Sequence, residues 1–432
     1  MTVRIKSIDA YQIFDSRGTP TVECEITLDT GVVGLGRVPS GASTGQYEAH
    51  ELRDGDPHRF SGLSVFTAIE NIKNWISPAI VGSDVLEQAS IDEQLIDLDS
   101  TPDKSRLGAN ALLAVSMAIA NAASNTIRIP LYEYLGGGRG TLVPLPEVQM
   151  FGGGAHADWR VDVQDFLLVV LCGGSYEETL EVTHNVYRAT GKLLSQVGRA
   201  AGVADEGGYW PLFDSNESVL DFLVHAISSA GYKPGRDCMI ALDFAASDLY
   251  DGTHYRFRLD DRRFTSDEFI DFVANWCRRY PIVSIEDPLA DSDWLAWTHL
   301  VNKLGNRVQI IGDDLFTTNV HLIRKGVEEN AANAVLIKPN QIGTVSETIA
   351  AIELTQQSGW QPVISARSGE TEDTFITHLA VATNAGQIKV GSFSRSERMA
   401  KWNELIRISR HLGKRSRFEG SRIFTSIIQG HT

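Results

Sequence analysis

The sequence predicts an α/β protein, a (β/α)8 barrel preceded by a smaller α+β domain, and three observations carry that prediction. Four short β-branched runs between Met239 and Lys338 each stop on a charged residue: MIALD at Asp243, IVSIE at Glu286, VQIIGD at Asp313 and AVLIK at Lys338. Runs of this kind read as strands buried on both faces. The intervals from Glu286 to Asp313 and from Asp313 to Lys338 each have the length of one strand plus a crossover helix and its loops, which favours parallel pairing. The charged residue always closes its run, and in a (β/α)8 barrel the C-terminal strand ends are where variable loops carry chemistry.

The 432-residue chain is long enough for a barrel with a second domain. Residues 3–36 alternate as antiparallel strands do, and VECEITLDTGVVGLG reads as a strand, a DTG turn and a second strand. VPSGASTGQYEAHELRDGD then breaks the pattern. Taken alone, so dense a run of Ser, Gly and Thr is a solvated linker; beside a site it is a candidate lid. Helical periodicity returns over residues 65–75, 89–98 and 107–124. The last stretch is interrupted by Asn110, Ser116 and Asn121 and is short for a membrane span, so it reads as a core helix. The triple glycine at 136–138 and the TLVPLP after it set the expected boundary, giving domains 1–138 and 139–432.

The second domain opens with FGGGAHADWRVDVQDF, which lacks the GK[ST] of a phosphate-cradling loop. An apolar strand, FLLVVL, ends at Leu171, and a helix follows through Gly191 to Val197. In VADEGGYWP, Asp205 and Glu206 precede two glycines that allow close backbone approach to a ligand. Further strand ends fall at QPVISAR (Arg367) and QIKV (Val390). From Ser394 to Arg410, Met399, Trp402, Leu405 and Ile408 recur at helical spacing, a packing stripe.

A net charge of −16 excludes a general nucleic-acid or anionic-membrane surface, so an anionic substrate needs a local inversion of sign. Cys24, Cys172, Cys238 and Cys277 form no CxxC pair, so neither a disulfide framework nor a zinc site is expected. The first residues contain no apolar segment, so no signal peptide is expected, and the few scattered cysteines fit a reducing cytoplasm. Carboxylates at Asp243, Glu286 and Asp313 converging on one barrel face would repel one another without a cation between them. Hard oxygen donors in that number suit Mg²⁺.

Set side by side, DSRGTPTVE, VPSGASTG, LGANALLAVSMA, DEGG, ALD, SIEDP, GDDL, NQIGT, RSGETEDT and RSER resemble the enolase family in order and spacing, over nearly the whole chain. The resemblance implies an α+β lid domain followed by a barrel whose first strands depart from strict βα alternation. It implies two Mg²⁺ per active site, the structural one on Asp243, Glu286 and Asp313, the second assisted by Ser40 on the mobile loop. Lys338 matches the general base that removes the proton α to the substrate carboxylate, and Glu206 the acid side that assists loss of the 3-hydroxyl. Arg367 and Ser368 match phosphate-binding positions; His156, Gln164 and Lys389 match substrate contacts. Cations crowded around Lys338 are expected to lower its pKa towards that of a usable base. The Lys and Mg²⁺ pairing is a recognised arrangement for stabilising an ene-diolate. A phosphorylated small carboxylic acid as substrate and a homodimer are the implied partners.

Two departures stand out. The family has a glutamate where this chain has Asp165, and a histidine where it has Ala366, both near the substrate's leaving hydroxyl. Pro339 after the base lysine and the unusual HADWRVDVQDF loop are smaller ones. Because a displacement of about 1 Å can cost on the order of a hundredfold in rate, the expectation drawn is a specialised member with altered chemistry at C3. That member would be a carboxyphosphonoenolpyruvate synthase of phosphonate antibiotic biosynthesis. The alternatives are a housekeeping enolase converting 2-phosphoglycerate to phosphoenolpyruvate, and a non-catalytic binding protein. The racemase and cycloisomerase branches are set aside, since FLLVVL carries no KxK.

Overall fold

A computed structural model describes residues 2–42 and 44–425; Ser43 of the Ser/Gly/Thr-rich loop and residues 426–432 of the expected second domain lie outside the described residues. Strands β1 (Ile5–Phe14), β2 (Pro20–Leu28) and β3 (Val33–Arg37) form the antiparallel meander that the alternation predicts. The sheet packs on the helix Ala109–Ile127, which is buried along almost its whole length. Contact is close enough to require glycine: a Cβ on Gly36 would lie 2.1 Å from the Ala114 carbonyl oxygen, and one on Gly34 2.3 Å from that of Ala118. The helix Gln88–Asp99 lies beside it. From there the buried Asp92 accepts hydrogen bonds from Ser116 Oγ (2.6 Å), Ser346 N (2.9 Å) and Ser346 Oγ (2.6 Å). These bonds tie the first helices to the start of the barrel helix Val345–Gln357.

The barrel strands are β4 (Leu145–Gly152), β5 (Asp165–Val170) and β6 (Cys238–Asp243); then, after a small hairpin of β7 (Tyr255–Phe257) and β8 (Arg262–Phe264), β9 (Ile282–Glu286), β10 (Gln309–Gly312), β11 (Ala334–Ile337), β12 (Gln361–Ser365) and β13 (Gln387–Ser392). They close in the order β4-β5-β6-β9-β10-β11-β12-β13, with β13 returning to β4. The hairpin and the helix Ser266–Arg279, started by a Thr265–Glu268 capping box, account for the long interval between Asp243 and Glu286. Strand β5 runs antiparallel to both β4 and β6. The segment joining β4 to β5 carries only a 3₁₀ turn, Gly154–Ala157, in place of a crossover helix, so the chain must reverse. That reversal puts Asp165, the first residue of β5, directly opposite Asp243, the last of β6.

Side chains two apart on a strand share a face, and the inward face holds two apolar clusters. One comprises Leu145, Leu167, Val169, Met239, Ala241 and Val283, the other Ile311, Ala334, Leu336 and Val363. Among them lies a buried polar chain. Gln387 Nε2 donates to Glu147 Oε1 (2.7 Å), Gln309 Nε2 to Gln387 Oε1 (2.7 Å), and Ser284 Oγ to Gln309 Oε1 (3.0 Å). Among the described residues, no helix is long and apolar enough to cross a membrane.

Candidate active site

Strand ends build the site. Asp243 closes β6 and Glu286 closes β9 as its register partner; Asp313 and Lys338 follow β10 and β11 immediately; Lys389 lies within β13. Lys389 Nζ stands among three carboxylates, 2.7 Å from Asp243 Oδ2, 2.8 Å from Glu286 Oε2 and 3.2 Å from Asp165 Oδ2. Gln164 Nε2 also donates to Asp243 Oδ2, at 3.0 Å. Lys338 Nζ donates to Asp313 Oδ2 (2.5 Å), whose other oxygen accepts from Gln341 Nε2 (2.8 Å). Burial, and next the Asp243 charge, push the Glu286 carboxyl well up, while Lys389 pulls the other way and the Asp313 charge adds to the rise. Burial alone would lower Lys389, but the charges of Asp243, Glu286 and Asp165 hold it well above the usual lysine value.

Asp243, Glu286 and Asp313 are the donor type a divalent cation takes, although their oxygens do not all lie within 4.8 Å of one another. All are buried oxygen donors, and Glu286 Oε1 has no hydrogen-bond partner among the described residues. A buried carboxylate oxygen left without a partner is costly, and a metal ligand position is one way to satisfy it. A second acidic group, Asp287, Asp313 and Asp314, brings oxygens within 4.8 Å of one another. Asp287 is already occupied there, since its two oxygens accept from the Asp313 and Asp314 backbone N–H groups at 2.8 Å each.

At the same mouth, His156, Asp165 and Glu206 bring ligand atoms within 4.8 Å of one another. His156 Nδ1 lies 3.3 Å from Asp165 Oδ1. Burial disfavours the charged imidazole, but the Asp165 carboxylate outweighs it and raises the histidine, with Glu206 and Asp243 adding to the pull. The odd residues of this loop are anchors. Asp162 accepts from the Arg258 and Leu259 backbones (2.8 and 3.1 Å), and the Arg258 guanidinium stacks 5.0 Å from the Trp159 ring centroid. Pro339 occupies the first position of the short helix Pro339–Ile342, where a missing N–H costs nothing.

Arg367 and Ser368 sit side by side after β12, their carbonyls fixed by the buried Arg398, which donates to both (2.7 and 2.6 Å). The Arg367 guanidinium is paired with Glu48 at 2.9 and 3.2 Å. Glu48 belongs to the loop that leaves the first domain. Two backbone contacts dock that loop on the barrel: the Ser40–Gly369 pair (2.8 and 2.9 Å) and Ala49 N to Gln341 O (2.8 Å).

Of the residues expected from sequence, the structure gathers His156, Gln164, Asp165, Glu206, Asp243, Glu286, Asp313, Lys338 and Lys389 at one barrel mouth. The Ser40 hydroxyl, expected to assist a second ion, is held within its own loop region. Ser40 is buried, with Oγ 2.9 Å from Arg53 Nη2 and 3.2 Å from Glu51 Oε2. The expected lowering of Lys338 depends on cations beside it, and the protein's own groups on balance work the other way. Burial works towards it and Arg367 helps, but the adjacent Asp313 carboxylate prevails and holds the amine above its ordinary value. Sequence reasoning missed Glu48, Gln341 and Gln149. Gln149 had a visible signal as the inward partner of Glu147 in the alternation of LPEVQM, and Gln341 lies within the NQIGT block.

Two family models match the chain. The enolase N-terminal domain covers residues 5–135, and the enolase C-terminal TIM barrel domain covers residues 140–427. A curated relative, Enolase 1 of Desulfitobacterium hafniense (strain Y51), is 51% identical over 427 residues, spanning 98% of this chain and 97% of the relative. That likeness overturns the expected carboxyphosphonoenolpyruvate synthase. The geometry gives a reason: although one methylene shorter than the expected glutamate, Asp165 still reaches His156 and Lys389, so its carboxylate has not left the site. With both domains matched and a full-length relative at this identity, the chain belongs to the enolase family.

Proposed function

We propose that the chain is a housekeeping enolase, a lyase that interconverts 2-phosphoglycerate and phosphoenolpyruvate. One observation carries the reading: a single barrel mouth gathers two amines, Lys338 and Lys389, with an acid wall of His156, Asp165 and Glu206. Elimination of water across adjacent carbons needs a base on one side and a proton donor on the other. The full-length likeness to an enolase supports it.

In this reading Lys338, as the free amine, removes the proton on the carbon next to the substrate carboxylate and becomes the ammonium. Glu206 gives a proton to the departing 3-hydroxyl, which leaves as water, and the electron pair freed at the α-carbon forms the new double bond. His156 and Asp165 flank the leaving group, Lys389 and Gln164 hold the carboxylate end, and Arg367 with Ser368 takes the phosphate. Asp243, Glu286 and Asp313 would hold Mg²⁺. Bound there, the ion would supply positive charge that relieves the Asp313 pull on Lys338 and offsets negative charge building on the substrate carboxylate. A second ion, assisted by Ser40, is part of the proposal, and in this structure the Ser40 hydroxyl is held by Arg53 and Glu51. The proposal extends to a cytoplasmic homodimer. The described cysteines, all unpaired, suit a reducing compartment.

The test is steady-state turnover of 2-phosphoglycerate with Mg²⁺. The wild type turns over at roughly 1–1,000 per second, and Lys338→Ala falls by at least about a hundredfold. A folded wild type without turnover, or a Lys338→Ala variant at the wild-type rate, removes the assignment.

A further inference from the structure

Gln149 is fully buried near the end of β4, and its amide spans the acid wall. Its Nε2 donates to Asp165 Oδ1 through a short hydrogen bond, and its Oε1 accepts from the Gly208 backbone N–H at 2.9 Å. Gly208 follows Glu206 by two residues, so one side chain fixes the Asp165 carboxylate and the loop bearing Glu206. The amide lies close against the backbone of two glycines. A Cβ on Gly208 would lie 2.5 Å from Gln149 Oε1, and one on Gly152 would lie 3.2 Å from its Nε2. With both ends engaged, the donor end is aimed at Asp165 and the carbonyl end at Gly208.

Asp165 is one methylene shorter than the glutamate the family places there, yet its carboxylate remains within reach of His156 and Lys389. A shorter acid can keep its place only if the groups behind it reach further. Gln149 reaches past Asp165 to the Glu206 loop through its side chain, whereas His156, which also bonds Asp165, meets that loop through its backbone carbonyl, 3.2 Å from Asp205 N.

We propose that Gln149 is a positioning residue for the dehydration: its long amide arm makes good the short side chain of Asp165 and sets the separation between Asp165 and Glu206. The inference rests on the enolase reading above. It makes the lengths of residues 149 and 165 a matched pair. Shortening the amide by Gln149→Asn leaves Asp165 unsupported. Lengthening the acid by Asp165→Glu drives it against the amide. Making both changes restores the sum of the two arms.

The experiment is a double-mutant cycle of Gln149→Asn, Asp165→Glu and the pair. Each single variant is expected to lose about ten- to a hundredfold in kcat, the cost of a misplacement near 1 Å. KM for 2-phosphoglycerate should stay within about threefold, since Gln149 acts on the transition state through Asp165 and Glu206. The double variant should return to within about fivefold of the wild-type kcat. Singles at the wild-type rate, or a double variant no better than the product of the singles, overturn the proposal. The same cycle on the thermal midpoint of the metal-free protein needs no turnover: a double variant more stable than the sum of the singles predicts supports the pairing, and additivity overturns it. A wild type that is inactive on 2-phosphoglycerate would therefore sink the enolase reading while the stability cycle still decides this one. If a single variant does not fold, the double variant decides alone, a folded double supporting the pairing and an unfolded one overturning it.

Discussion

Glu147 illustrates how much the burial of one side chain controls. It is enclosed in the barrel interior, and burial pushes its carboxyl up to about 7 against the opposing charge of Lys389 and the hydrogen bond from Gln387. A carboxyl that binds its proton more tightly folded than unfolded contributes stability in full below its unfolded value near 4.5 and loses it as pH rises through about 7. That gap corresponds to roughly 3 kcal/mol. Glu147→Gln keeps an acceptor for Gln387 and cannot ionise. Urea titrations of the metal-free variant should thus show a shallower loss of stability than the wild type between pH 5 and 8, by about 2–3 kcal/mol; parallel curves would contradict this. At the same scale, the identities of Asp243, Glu286, Asp313 and Lys338 were legible because each closes a strand run. The charge state of Lys338 was not: it depends on Asp313 lying 2.5 Å away, a distance that one-dimensional spacing does not contain.

Elements were legible where periodicity was strong and hidden where direction mattered. The meander, the buried helix Ala109–Ile127 and the later barrel strands follow from alternation and helical spacing. FLLVVL reads as a strand from its residues alone, but its antiparallel direction comes from the short β4–β5 connection, and the family resemblance was what implied it. The Ser/Gly/Thr-rich loop is a similar case. Its composition suggests a linker, whereas its described residues dock on the barrel and present Glu48 to Arg367. In the proposed reaction that guanidinium receives the substrate phosphate, so the Glu48 carboxylate competes with it for the same donors. Charge-assisted hydrogen bonds are about twice as strong as neutral ones, and Glu48→Gln weakens the competitor. The KM for 2-phosphoglycerate is expected to fall by roughly threefold or more with kcat less affected. An unchanged or higher KM would show that Glu48 orients Arg367 and does not compete.

Across the whole molecule, a chain of net charge −16 keeps its cations where an anionic substrate needs them. Lys389 and Arg367 are buried and Lys338 is partly buried at one mouth, each held by carboxylates. The overall charge was readable from composition, while the local inversion emerged only when strands distant in sequence were brought side by side. Ala366 and Asp165 were over-read as marks of a new reaction, because a sequence shows a lost methylene or ring and not the neighbours that close around it. The central claim is that at this mouth Lys338 acts as the base and Glu206 as the acid. Exchange of the α-hydrogen of 2-phosphoglycerate in D₂O, measured by proton NMR on two variants, tests it most directly. Glu206→Gln should still exchange that hydrogen while forming no phosphoenolpyruvate, and Lys338→Ala should do neither; exchange at the wild-type rate by Lys338→Ala would contradict the account.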